Sequence, residues 1–278
     1  MKRAGTLKGA IALDLDGTAL DSGGRLRPRT HEAVAKAAKV GVATVLTSGR
    51  HHSAVRVYHH ELGLATPAIC CNGTYLYDFV ASRAIAGAGM TKATAQRAFG
   101  ICDAHQAMVA LYADDAMIYQ TLTPHLERLI AWGEALPKPL QPNWVKGPRF
   151  ETAIDEAQTV WKLLASHADA SRLSACRDAL FAQGDLAVEY SWRDRLDVCP
   201  GGVSKAKRLS EWTAQNGLEP EMVVAFGDAE NDVEMLAKFD GVAMGNANTA
   251  AKAAAKRVIG DNDSDALADE IERWIERL

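Results

Sequence analysis

The chain opens with a near-continuous apolar run over residues 8–15, the pattern of a strand buried on both faces. Pro28 then sits at a first-turn position, and Gly41 closes an amphipathic helix over 33–40. The β-branched run 42–47 predicts a second strand. A helix over about 53–62 stops at Gly63, and 67–71 predicts a third strand before the turn pair Asn72-Gly73. Strand–helix–strand–helix–strand order marks a parallel sheet with crossover helices.

The middle of the chain follows a different rhythm. Short strands at 74–77 and 83–85 precede a helix over 92–104, and strands at 108–112 and 117–120 flank the turn Ala113-Asp114-Asp115. A helix over about 124–136 leads into 137–148, where Pro137, Pro139, Pro142 and Pro148 predict a loop. A strand at 160–165, a helix near 171–181 and a strand at 186–191 complete an α+β segment. Alternation then resumes, with strands at 196–199, 222–226, 241–244 and 257–259 and helices at 204–216, 231–238 and 265–278. The expected fold class is α/β. A Rossmann-like parallel-sheet core from residues 1–83 and 194–278 is interrupted by an inserted α+β domain over 84–193.

Composition narrows the function classes. With 48% apolar and 24% charged residues, the chain is neither disordered nor fibrous. A net charge of −4 is too close to neutral to steer the protein onto nucleic acid or an anionic membrane. Lys2, Arg3 and Lys8 are followed by an apolar run of only 10–13 before Asp14, too short for a signal peptide. No run of about 18 apolar residues offers a membrane span. Five cysteines without C-x-x-C spacing predict neither a disulfide framework nor a thiolate zinc site, so a cytoplasmic location is expected.

Four short segments carry candidate chemistry, each at a predicted strand exit or helix start. Asp14-Leu15-Asp16-Gly17-Thr18 places two carboxylates at the carboxyl end of the first strand, where open α/β sheets bind ligands. One can attack or bind a metal while the other handles protons; alone, the motif reads first as a solvated Asp-rich turn. Thr47-Ser48-Gly49-Arg50 offers a hydroxyl and backbone N–H groups to a phosphate oxygen. Lys205 opens a helix, where a cation opposes the helix dipole unless an anion lies nearby. Gly227-Asp228-Ala229-Glu230-Asn231-Asp232 follows an apolar strand, and its carboxylates suit an oxygen-ligand Mg²⁺ site or simply complement a helix start. The pairs His51-His52 and His59-His60 read as solvated helix histidines, because no carboxylate stands at zinc-ligand spacing. Cys70-Cys71 reads as a packed, inert thiol pair.

In combination, the order D-x-D-G-T, [ST]-G, K and G-D-x-x-x-D resembles the haloacid dehalogenase superfamily of phosphohydrolases. The long insert and the form G-D-x-x-N-D with Met235 after it are similar to its Cof-type branch, with a C2-type cap. Residues 49–52, 66–78, 112–119, 161–162 and 189–197 resemble the pyridoxal phosphate phosphatase members of that branch. The resemblance implies Asp14 as nucleophile and Asp16 as general acid and base. It implies Mg²⁺ held by Asp14, the Asp16 backbone carbonyl and Asp228. Leu15, Ser48, Gly49, Lys205 and Asn231 would contact phosphate, with Thr47 and Asp232 supporting them.

Ala19 and Ala206 depart from the family's usual Leu and Gly and bear only on local packing. In the insert, Trp192 and Arg193 are expected near the substrate, unless Trp192 is cap core, and Asn72 and Gly73 at the junction. The implied ligand is a small phosphorylated metabolite, pyridoxal 5′-phosphate or a sugar phosphate. The alternative from another class is a receiver-like module whose strand-end aspartate accepts phosphate as a signal.

Overall fold

The computed structural model describes residues 7–278; Lys2 and Arg3 lie outside the described residues. In chain order the first elements are β1 (Gly9–Asp14), α1 (Pro28–Lys39), β2 (Val42–Thr47), α2 (His52–Glu61), β3 (Ala68–Cys70), β4 (Tyr75–Asp78) and β5 (Arg83–Gly87). Next come α3 (Lys92–Ala104), β6 (Met108–Ala113), β7 (Ala116–Tyr119), α4 (Pro124–Glu134), β8 (Trp144–Lys146), α5 (Phe150–Glu156), β9 (Val160–Ser166), α6 (Ala170–Phe181), β10 (Leu186–Trp192) and β11 (Arg195–Pro200). The chain finishes with α7 (Lys205–Gln215), β12 (Val223–Gly227), α8 (Val233–Lys238), β13 (Asp240–Ala243), α9 (Thr249–Ala254), β14 (Arg257–Val258) and α10 (Ala266–Ile275).

The larger sheet has the order β14-β13-β12-β1-β2-β3-β4-β5. It is parallel from β14 to β3, and β4 and β5 extend it antiparallel. β1 and β2 are buried along their whole length, as expected of strands covered on both faces. Pro28 starts α1 at its first turn. α1 is held against α10 by Arg29, which reaches Asp269 and Glu272 at 3.0 Å each.

The smaller sheet, β10-β11-β9-β6-β7-β8, is antiparallel except for its β7–β8 edge. Its apolar face packs on α3, α5 and α6 around Leu111, Leu163, Leu173 and Val198. The division between sheets falls later at both ends than the expected 84–193, because β5 pairs with β4 and β11 pairs between β10 and β9.

The proline-rich stretch 137–148 also differs from the expected loop. Past Pro142 no proline removes a backbone donor until Pro148, and Trp144–Lys146 pairs with β7. The Trp144 ring anchors that pairing edge-on to Tyr112 and Tyr119. α5, which the pattern left unassigned, buries Phe150 against Phe99.

Candidate active site

β1, β2 and β12 are adjacent parallel strands, so their carboxyl ends bring the first, second and fourth segments to one sheet edge. Gly17 takes φ +77°, and a side chain there would run into the Asp228 carboxylate. That glycine lets the turn after β1 fold tightly enough for Thr18 to donate to Asp228 Oδ1 at 3.1 Å.

Asp14, Asp228 and Asp232 converge, with one carboxylate oxygen from each lying within 4.8 Å of the others. Lys205 Nζ donates to Asp14 Oδ1 at 2.6 Å and to Asp232 Oδ1 at 2.7 Å. The anion needed beside this helix-start lysine is thus a pair of protein carboxylates. Asp232 Oδ2 accepts the backbone N–H groups of Asp228 and Ala229, both at 3.1 Å, so both its oxygens are engaged. It turns back to hold the strand exit and leaves Asp14 and Asp228 with free oxygens.

Burial pushes the Asp14 carboxyl well up; Lys205 opposes this, while Asp232 and Asp228 add to it. Burial, with Asp232, pushes Asp228 up to about 7. Three carboxylates around one ammonium carry surplus negative charge in a low-dielectric site, and every donor is an oxygen. That set fits Mg²⁺.

Asp16 faces the opposite wall, where Arg50 grips it with two bonds, Nε at 2.7 Å and Nη2 at 2.5 Å. Desolvation raises the Asp16 carboxyl, but the Arg50 guanidinium pulls harder and holds it below its ordinary value. Arg50 also stacks over Tyr58 on α2 and Trp132 on α4, so it touches both sheets' helices. The sequence reading gave Arg50 no role, although it stands directly after Gly49 at a strand exit.

The remaining expected residues separate into two groups. Gly49 and Asn231 line the cleft, whereas Ser48, Lys205 and Asn72 are buried behind its surface. Leu15 and Thr47 are fully buried; the Leu15 side chain belongs to the core, and Thr47 Oγ1 has no hydrogen-bond partner among the described residues. Gly73 backs onto the Ser204 carbonyl, and its own carbonyl accepts from Arg208 Nε at 3.2 Å, so it faces α7 and not the cleft. Trp192 is 63% exposed at the cleft mouth, which excludes a cap-core role. Arg193 lies in the exposed β10–β11 turn outside the lining; Arg195 lines the cleft in its stead, under the Trp192 ring.

His51, His52 and His59 are buried, against the expectation of solvated histidines. The β6–β7 turn docks on the start of α2, where His51 Nε2 meets the Asp114 carbonyl at 3.1 Å. His52 stacks flat on Tyr77 at 3.8 Å. Burial holds both rings neutral, His51 at about 3 and His52 at about 2. Cys70 and Cys71 are buried, and burial raises both thiols.

The cleft between the two sheets encloses about 700 Å³, with Tyr112, Trp132, Trp144, Tyr190 and Trp192 on its insert side. That volume and lining suit a small, partly aromatic ligand. No helix among the described residues is long and apolar enough to cross a membrane.

Comparison with known proteins agrees with this geometry. Pyridoxal phosphate phosphatase YbhA of Escherichia coli (strain K12) is 40% identical over 259 residues, covering 93% of this chain and 95% of its own. A 5-amino-6-(5-phospho-D-ribitylamino)uracil phosphatase of Bacillus subtilis, YwtE, is 23% identical and covers 93% of this chain and 95% of its own. The crystal structure of a haloacid dehalogenase-like hydrolase from Bacteroides thetaiotaomicron superposes with a TM-score of 0.81. It is 26% identical and covers 96% of this chain and 99% of its own. The family model for haloacid dehalogenase-like hydrolases matches residues 11–271, which sets aside the receiver-like reading. With that match spanning both flanks and the insert, the chain belongs to the haloacid dehalogenase-like hydrolase family.

Proposed function

We propose that this phosphomonoesterase hydrolyses pyridoxal 5′-phosphate to pyridoxal and phosphate, with Mg²⁺ as cofactor. The observation that carries the substrate is the 40% identity to a pyridoxal phosphate phosphatase along nearly the whole chain. The aromatic insert wall supports it, because a flat pyridine ring gains from stacking there.

Asp14 is the proposed nucleophile. Lys205 occupies its Oδ1, which leaves Oδ2 to attack phosphorus as the ester P–O bond breaks. Asp16 gives a proton to the departing alkoxide and later takes one from the water that cleaves the aspartyl-phosphate, returning Asp14 as a carboxylate. Arg50 keeps Asp16 ionised in the geometry described, the form that accepts the water proton. The first half-reaction therefore requires Asp16 to leave Arg50 in protonated form.

The Leu15 and Gly49 backbone and the Asn231 amide are the proposed phosphate contacts, with Ser48, Lys205, Thr47 and Asp232 behind them. Asp14, Asp228 and the Asp16 carbonyl would hold Mg²⁺, which supplies positive charge against the phosphate dianion. At about 4 Å and an effective dielectric near 20, each like-charge pair otherwise costs about 4 kcal/mol. The core carries chemistry and the insert reads the leaving group. The five cysteines are free and buried, in keeping with a cytoplasmic location.

A second reading keeps this mechanism and changes the ester, since YwtE, named for a ribityl phosphate, is also similar. Phosphate release from a panel of esters, with and without Mg²⁺, tests both. Pyridoxal 5′-phosphate should give the highest kcat/KM, and Asp14→Asn should abolish turnover. A sugar phosphate with an equal or higher kcat/KM would replace the first reading with the second.

A further inference from the structure

Lys162 is a buried cation that the proposed chemistry does not use. It rises from β9 in the insert, yet its Nζ donates to the Gly49 carbonyl of the core at 2.7 Å. It also pairs with Asp197 Oδ1 at 2.9 Å and lies 4.6 Å from the Tyr112 ring centre. Its hydrogen bond among the described residues goes to Gly49, with Asp197 as charge partner, and the residue borders the cleft.

From Asp197 the contacts continue into the core. Asn72 Nδ2 donates to Asp197 Oδ2 at 2.8 Å, and Asn231 Nδ2 donates to Asn72 Oδ1 at 3.0 Å. A buried polar chain therefore runs from the insert to both the 47–50 turn and the 228–232 turn. Gly49 shows how tightly it packs: a Cβ there would stand 2.8 Å from Asn72 Oδ1 and 3.1 Å from Asp197 Oδ2. Glycine at position 49 is required by the approach of this chain, not by an unusual φ.

From this geometry we infer that Lys162 is a positioning residue, delivered by the insert, that clamps the Gly49 carbonyl and thereby sets the phosphate-facing turn of the core. Asp197 holds the clamp and Asn72 carries it across to Asn231. Turnover thus depends on the insert being seated on the core even though no insert side chain touches phosphorus. The inference rests on the proposed role of the Gly49 turn, but not on the identity of the leaving group.

The test is the double variant Lys162→Met/Asp197→Leu in the full chain, assayed on whichever phosphoester the parent turns over. Replacing both charges by apolar groups of similar volume leaves no orphaned ion, so the fold should survive. The expected result is a kcat about 10- to 100-fold lower at nearly constant KM, with the thermal midpoint close to the parent's. Inorganic phosphate should also inhibit the variant more weakly.

A folded variant with kcat within about twofold of the parent's would overturn the inference. So would raised KM at unchanged kcat, which would make Lys162 a direct substrate contact. If the double variant does not fold, Asp197→Asn decides, since it keeps Lys162 and an acceptor for Asn72. A lower kcat at constant KM supports the clamp, and an unchanged kcat refutes it. A parent silent on pyridoxal 5′-phosphate but active on another ester would retire the proposed substrate and leave this test intact.

Discussion

Lys205 Nζ stands 2.6 Å from Asp14 Oδ1, and both side chains are buried. A lysine at the start of a helix thereby becomes the counter-ion of the proposed nucleophile. Lys205→Met would strand Asp14 and Asp232 as buried carboxylates. Breaking such a pair by removing one partner costs about 3–5 kcal/mol. Urea unfolding should show a loss of that size together with loss of phosphate release. Parental stability in this variant would show that the pair does not stabilise the folded state.

Trp192 should act on substrate choice alone. With 63% of its surface exposed it contributes little to stability, yet it stands at the cleft mouth. Trp192→Ala is expected to raise KM for pyridoxal 5′-phosphate about 3- to 10-fold, the value of one aromatic contact. KM for a sugar phosphate and the thermal midpoint should stay unchanged. An equal rise for both esters would count against ring stacking.

Acid should weaken the contact between insert and core. Burial holds His51 at about 3 and His52 at about 2, against an unfolded value near 6.5. A histidine depressed in the fold stays neutral while the unfolded chain takes up its proton. Its stabilising effect is full above about pH 6.5 and is lost as pH falls towards the folded value. Between pH 6.5 and 5.5 each ring should cost about 1 kcal/mol. His52→Phe, which keeps a ring on Tyr77, should remove its share of that slope in urea unfolding; a slope equal to the parent's would contradict the assignment.

Glu189 should show the opposite sign. Burial, with the Asp197 carboxylate, pushes it up to about 7. A carboxyl raised in the fold is harmless while protonated, and destabilises as pH rises from about 4.5 through 7. Glu189→Gln is expected to stabilise the protein by about 1–3 kcal/mol at pH 8 and to be neutral near pH 4.5. Equal midpoints at pH 8 would rule this out.

Several features were legible in the residues because local rules governed them. The apolar runs of β1, β2 and β12 need no partner to be recognised, since strands covered on both faces are apolar throughout. Pro28 and Gly41 punctuate α1 by their own backbone chemistry. Asp14, Asp16 and Asp228 were visible as carboxylates at strand exits. The β8 pairing was not, because three residues after a proline-rich turn carry no periodicity of their own.

The sequence by itself determined the α/β order, the interruption of one domain by another, and the acidic and hydroxyl groups at the sheet edge. Each follows from side-chain period or residue chemistry within a few positions along the chain. Only the tertiary structure decided who pairs with whom. Lys205 with Asp14, Arg50 with Asp16, and Lys162 with Gly49 and Asp197 join residues 34 to 191 positions apart. The same is true of His51, which a turn of the inserted domain meets at its ring nitrogen. Charge partners and burial belong to the assembled core, where desolvation makes a neighbour decisive, and no local pattern encodes them.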